Sequence, residues 1–163
     1  MRTVIVASRW NATKPLLLGL MLAGFVAALA AAQQGQTNMV GMKGTCSKFV
    51  VGGQNYSCQG VIYMALPNGR ITFSIGMPNG ALTLSGSKDS QLDPTRYVLE
   101  IDTIRAGRGD GRSDGYKAKG RCTMRLSADG NYAHSLSCAA TNGIEAVAVE
   151  FRGDGSKVDR KSF

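Results

Sequence analysis

Apolar and polar side chains alternate with a period of two along much of the chain beyond residue 60. Ile71, Phe73 and Ile75 are separated by Thr72 and Ser74, and Leu82 and Leu84 flank Thr83. Successive side chains of a strand point to opposite faces, so this spacing predicts strands half-buried against one core. Pro67-Asn68-Gly69 and Pro78-Asn79-Gly80 punctuate the pattern. Proline suits the first corner of a turn, and Asn followed by Gly tolerates positive φ. Turn signals about ten to twelve residues apart mark a β-meander. Further strands are predicted over 96–105, 116–126, 132–140 and 144–152. The stretch 87–95 (SKDSQLDPT) reads as a polar loop, and 106–115 (AGRGDGRSDG) as a flexible one. The final residues, 153–163, have no apolar period and read as a flexible tail. The expectation is an all-β domain, an antiparallel meander of about 7–9 strands closing as a small barrel or stacking as a sandwich, after an N-terminal signal helix.

The opening of the chain has a different pattern. Arg2, Arg9 and Lys14 precede an uncharged apolar run from Pro15 to Ala32 that ends in small residues. A basic start, an apolar middle and an A-x-A site describe a secretory signal peptide, cleaved after Ala30 or Ala32. An uncleaved anchor is the alternative, since the run is barely long enough to span a bilayer. No cysteine lies near the cleavage point, which argues against a lipid-anchored form. Segments 1–32, 33–152 and 153–163 are thus signal peptide, β domain and tail. Cleavage after residue 32 leaves 131 of the 163 residues, a single domain with room for a real core. The expected location is periplasmic or secreted, with no transmembrane span after cleavage.

Export gives the four cysteines a meaning, because thiols in an oxidising compartment pair as disulfides. Four cysteines allow three connectivities. The segment 122–138 carries a turn signal at its centre, Ala128-Asp129-Gly130-Asn131. Pairing across it sets Cys122 against Cys138, Met124 against Leu136 and Leu126 against His134, all on one face. Cys46 and Cys58 are similarly symmetric about Gly52. The expected bonds are Cys46–Cys58 and Cys122–Cys138, each stapling its own hairpin. Metal binding is the poorer reading: the pairs are not CxxC, and one histidine does not complete a zinc site. No metal and no cofactor is expected.

Charge then singles out one strand. Lys117, Lys119, Arg121 and Arg125 share the parity opposite to Ala118, Cys122 and Met124, while Arg105, Arg108 and Arg112 lie just upstream. These seven cations meet only Asp110 and Asp114 over the same stretch. The signal holds three of the 19 basic residues and none of the 11 acidic ones, so the mature chain carries +5. Such a face would attract anionic envelope polymer or lipid headgroups, with binding that fades as salt rises. A solvated strand face that discourages edge pairing is the plainer explanation. Nucleic acid is not expected as a partner, because export removes it and no aromatic interleaves the ladder for base stacking.

Catalytic candidates are few. His134, the single histidine, falls on the core side of its predicted strand. Glu100 and Asp102 could share a groove as paired carboxylates do in glycoside hydrolysis, yet they face away from Tyr97, Leu99 and Ile101 as solvated residues would. No GxSxG, HExxH or free cysteine is present, and no catalytic residue is assigned. Arg108-Gly109-Asp110 matches an integrin-recognition triplet that arises by chance in glycine-rich loops. Residues 110–115 lack the third acid and terminal Glu of a calcium loop. Asn55-Tyr56-Ser57 is a glycosylation sequon that matters only in a eukaryotic source.

The segments YSCQGVIYM (56–64), NGRITF (68–73), LSGSKDSQ (84–91), RYVLEID (96–102) and KGRCTM (119–124) resemble a group of small secreted two-disulfide β proteins of alphaproteobacteria. The resemblance implies an envelope location and a two-disulfide β domain, and brings no active site. Tyr56-Ser57-Cys58 and residues 81–86 are also similar to periplasmic lysozyme inhibitors, small disulfide-bonded β-barrels. The serine- and glycine-rich inhibitory loop of those proteins is missing, and a +5 chain would be repelled by basic lysozymes. The functional expectation is an exported non-enzymatic domain that binds anionic envelope material through the basic face. An inhibitor or accessory subunit of another periplasmic protein is the first alternative, and a small hydrolase the second.

Overall fold

A computed structural model describes residues 36–58, 60–108 and 113–163, which fall within one compact unit. The predicted signal segment, 1–32, lies outside the described residues. The strands are β1 (Asn38–Val51), β2 (Gln54–Asn55), β3 (Gly60–Ala65), β4 (Ile71–Met77), β5 (Gly80–Gly86) and β6 (Lys88–Asp93). They continue as β7 (Arg96–Arg108), β8 (Ser113–Leu126), β9 (Ala133–Thr141), β10 (Ala146–Gly153) and β11 (Asp159–Ser162). Eight of them close an antiparallel barrel in the order β1-β3-β4-β5-β7-β8-β9-β10, with β10 returning to β1. The all-β meander is thus a barrel rather than a sandwich.

The alternation places the core where it predicts. Phe73, Ile75, Leu82, Leu84, Leu99, Leu136 and Val149 are fully enclosed and fill the bore, which in an eight-stranded barrel is just wide enough for side chains. The disulfides are Cys46–Cys58 and Cys122–Cys138. Loop-closure entropy values each at roughly 3 kcal/mol. Gly52 and Gly53 link β1 to β2 with φ of 56° and 81°, the two positive angles that a type I′ hairpin requires.

Four expectations are corrected. The stretch 87–95, expected as a loop, contains β6, which runs along β7 from Lys88 opposite Glu100 to Asp93 opposite Arg96. The expected tail 153–163 contains β11, which pairs Asp159–Ser162 with Asn38–Gly41. Thr37 and Phe163 also exchange backbone hydrogen bonds of 3.1 and 3.0 Å. His134 is exposed instead of core-facing. Pairing runs as expected through Cys122–Cys138 and Met124–Leu136, then a bulge after Arg125 sets Leu126 opposite Ala133. The extra residue turns the histidine to solvent. The glycine-rich stretch 106–115 is also shorter as a loop than expected, since Gly107 pairs with Ser113.

One irregularity shapes the outer surface. β5 and β6 are separated only by Ser87, and a Cβ on the last residue of β5, Gly86, would sit 1.9 Å from the Glu100 carbonyl oxygen. On β7 the register shifts at the same level, between Ile101 and Thr103. Ile101 and Ile104 are both buried, which leaves Asp102 and Thr103 together on the outside.

Candidate anion-binding face

β8 carries its cations outward because Ala118, Cys122 and Met124 are drawn to the barrel interior. Lys117, Lys119, Arg121 and Arg125 are all exposed. Arg105 joins them from β7, lying across Gly115, where a Cβ would come 3.4 Å from its Cγ. Arg108 ends β7. Arg112, with residues 109–111 of the integrin-like and calcium-like motifs, lies outside the described residues.

The surrounding acids are already engaged. Glu100 Oε1 accepts hydrogen bonds from Arg121 Nε at 2.9 Å and Nη2 at 2.7 Å. Asp102 forms an ion pair with Arg70, which reaches across from the β3–β4 turn and also donates to Ser85 Oγ at 3.1 Å. The Thr103 hydroxyl donates to the same carboxylate at 2.7 Å. The bond from Arg70, more than any other contact, holds the Asp102 carboxyl below its ordinary range. Among the described residues, Arg105, Lys117, Lys119 and Arg125 have no such partner.

Two features of this face are invisible in the sequence. Lys117 and Lys119 line a hollow of ≈ 400 Å³ with Ala118, Thr141 at the end of β9, and Asn142 and Gly143 of the β9–β10 turn. Next in that turn stands Ile144, 94% exposed. Towards the other end of β8, Arg125 faces Arg96 on β7 and Ser135 on β9, and Ser135 in turn faces Arg152 on β10. Arg96 Nε is buried without a hydrogen-bond partner. Like charges directly opposite one another are destabilising, and breaches of local rules of this kind are expected at functional or strained sites. Only strand neighbourhood could have revealed this second cluster, since Arg96, Arg125 and Arg152 are widely separated along the chain.

Glu100 and Asp102, weighed as a carboxylate pair but assigned no catalytic role, are engaged separately. Glu100 and Asp102 border a depression of ≈ 320 Å³ with Ser87, Lys88 and Lys119. Each is bound by a different arginine, and the lowered pKa of the Asp102 carboxyl is the opposite of what a general acid needs. Among the described residues, no three His, Cys, Asp or Glu side chains gather as metal ligands. Among the same residues, no helix is long and apolar enough to cross a membrane.

No protein-family model matches this chain, and no curated protein or solved structure shows significant similarity to it.

Proposed function

We propose that this protein is an exported, non-enzymatic β-barrel that associates with anionic components of the cell envelope through the outer face of β8. One observation carries this reading: among the described residues, Arg105, Lys117, Lys119 and Arg125 have no ionic partner, while Arg121 and Arg70 occupy Glu100 and Asp102. Residues two apart on one strand face lie roughly 7 Å from each other, so the ladder presents a row of positive charge to an extended anionic surface. The hollow between Lys117 and Lys119 is of a size to receive a phosphate-bearing headgroup. Ile144 beside it favours a lipid surface over a polysaccharide, because an exposed apolar tip gains by leaving water. The signal-like apolar start and the two disulfides support a periplasmic or secreted location.

The test is co-sedimentation of the oxidised mature chain with envelope fractions and with vesicles of anionic or zwitterionic phospholipid. Binding to anionic vesicles should be lost at about 1 M salt, where the screening length is only about 3 Å. The triple variant Lys117→Glu, Lys119→Glu, Arg125→Glu should bind at least about tenfold less at low salt. Unchanged binding by that variant, or no binding at low salt, would sink the proposal. Envelope binding that survives high salt would instead favour an accessory subunit docked on a single protein.

A further inference from the structure

The interior of the barrel holds a second feature, separate from the charged exterior. Where β1 begins and β8 ends, the mouth encloses a cavity of ≈ 220 Å³. Its apolar walls are Val40, Met42, Met124 and Leu126. Tyr63 and Tyr97 stand edge to face across part of it, with ring centres 5.8 Å apart. Gln91 of β6 reaches the rim, and Arg160 of β11 closes one side by donating to the Gly130 carbonyl.

Tyr97 is 7% exposed, and among the described residues its hydroxyl meets no partner in good hydrogen-bonding geometry, although the Tyr63 hydroxyl and the Asp89 carboxylate stand close enough to interact with it. Buried hydroxyls in folded proteins are almost always well paired, so this one, whose contacts with Tyr63 and Asp89 are poorly formed, is free to turn to a better acceptor or donor. Burial, reinforced by the nearby Asp89 carboxylate, holds both phenols above their usual pKa, so Tyr97 stays protonated and able to donate. The mouth is balanced in charge. An anion entering it approaches Asp89, and a cation approaches Arg160, whose guanidinium is already committed to Gly130.

We propose that this mouth binds a small uncharged molecule with an apolar, ring-sized body and one hydrogen-bonding oxygen, of the alcohol or phenol class, held by the Tyr97 hydroxyl. Barrel mouths lined by apolar side chains with a few convergent polar groups are common ligand sites. An apolar cavity of about 150 Å³ accommodates benzene, so the space here suits a monocyclic alcohol. The ligand class differs from the anions proposed for the outer face, and the two readings can fail separately.

The experiment is a titration of the oxidised protein with benzyl alcohol, benzoate and toluene, followed by the methyl NMR signals of Met42 and Met124. Benzyl alcohol should shift both signals saturably and bind more tightly than either comparator. Tyr97→Phe removes a hydroxyl that makes no well-formed hydrogen bond, so it should fold normally while binding benzyl alcohol about tenfold more weakly. Its affinity for toluene should not change. Absence of saturable shifts at these methyls would remove the site. Equal benzyl alcohol binding by Tyr97→Phe would overturn the role of the hydroxyl, and benzoate binding as tightly as the alcohol would overturn the uncharged class.

Discussion

Asp129 holds the β8–β9 turn together by accepting almost every bond in reach. Its carboxylate takes the Ser127 hydroxyl, the Asn131 amide at 3.0 Å and the Asn131 side chain at 2.9 Å. These contacts, the Ser127 hydroxyl foremost, depress its pKa to about 2. A carboxyl depressed on folding contributes stability that is present above its unfolded value, about 4, and that is lost as pH falls through the folded value. Asp129→Ala should therefore melt lower than the parent at neutral pH, with the gap closing as pH drops from about 4 to about 2. Thermal unfolding across that range checks it, and a gap independent of pH would count against the carboxylate's role. Asp93, Asp102 and Asp154 are lowered as well, so the parent should retain an acid-sensitive limb even without Asp129. Local chemistry of this kind is legible in sequence, because Ser-x-Asp-Gly-Asn names its own turn. The Arg70–Asp102 ion pair is not, since its members lie 32 residues apart and meet only through sheet order.

At the scale of elements, legibility followed burial. The strands containing Ile71, Phe73, Ile75, Leu82 and Leu84 announce themselves because one face is driven out of water. β6 and β11 are exposed at every position, so no hydrophobic period exists to betray them. Their pairing is imposed by neighbours: β6 is carried along β7 by β5, and β11 along β1 by β10. His134 was misplaced for a related reason, as a single-residue bulge reverses parity without altering composition. Glycine tells two stories here. Gly86→Ala forces a Cβ against the Glu100 carbonyl and should cost on the order of 2–3 kcal/mol, the upper range for overpacking. Gly76→Ala, in open space on β4, should be neutral or slightly stabilising, since glycine weakens strands. Denaturant unfolding of both variants distinguishes the two, and a similar loss in each would contradict the close approach at Gly86.

For the whole molecule, closure rests on β1, which pairs with β3 on one side and with β10 and β11 on the other. Cys46 faces Phe151 across that seam, a separation of more than a hundred residues. Contacts so remote in sequence are slow to form. The barrel's identity as a barrel, rather than a sandwich, lives in this one pairing, and periodicity along the chain carries no information about it. Until the last two strands arrive, the first strand presents a long row of unsatisfied amides and carbonyls. A chain ending at Thr141 keeps both disulfide hairpins yet never finds its own seam. Open edges of this kind recruit whatever strand is near, usually from a second copy. Such a truncated chain should run as dimers or larger species in size-exclusion chromatography, and a separately supplied peptide spanning 144–163 should return it to a monomeric complex. A monodisperse truncated monomer would mean that the seam closes the barrel without being what keeps neighbouring molecules apart.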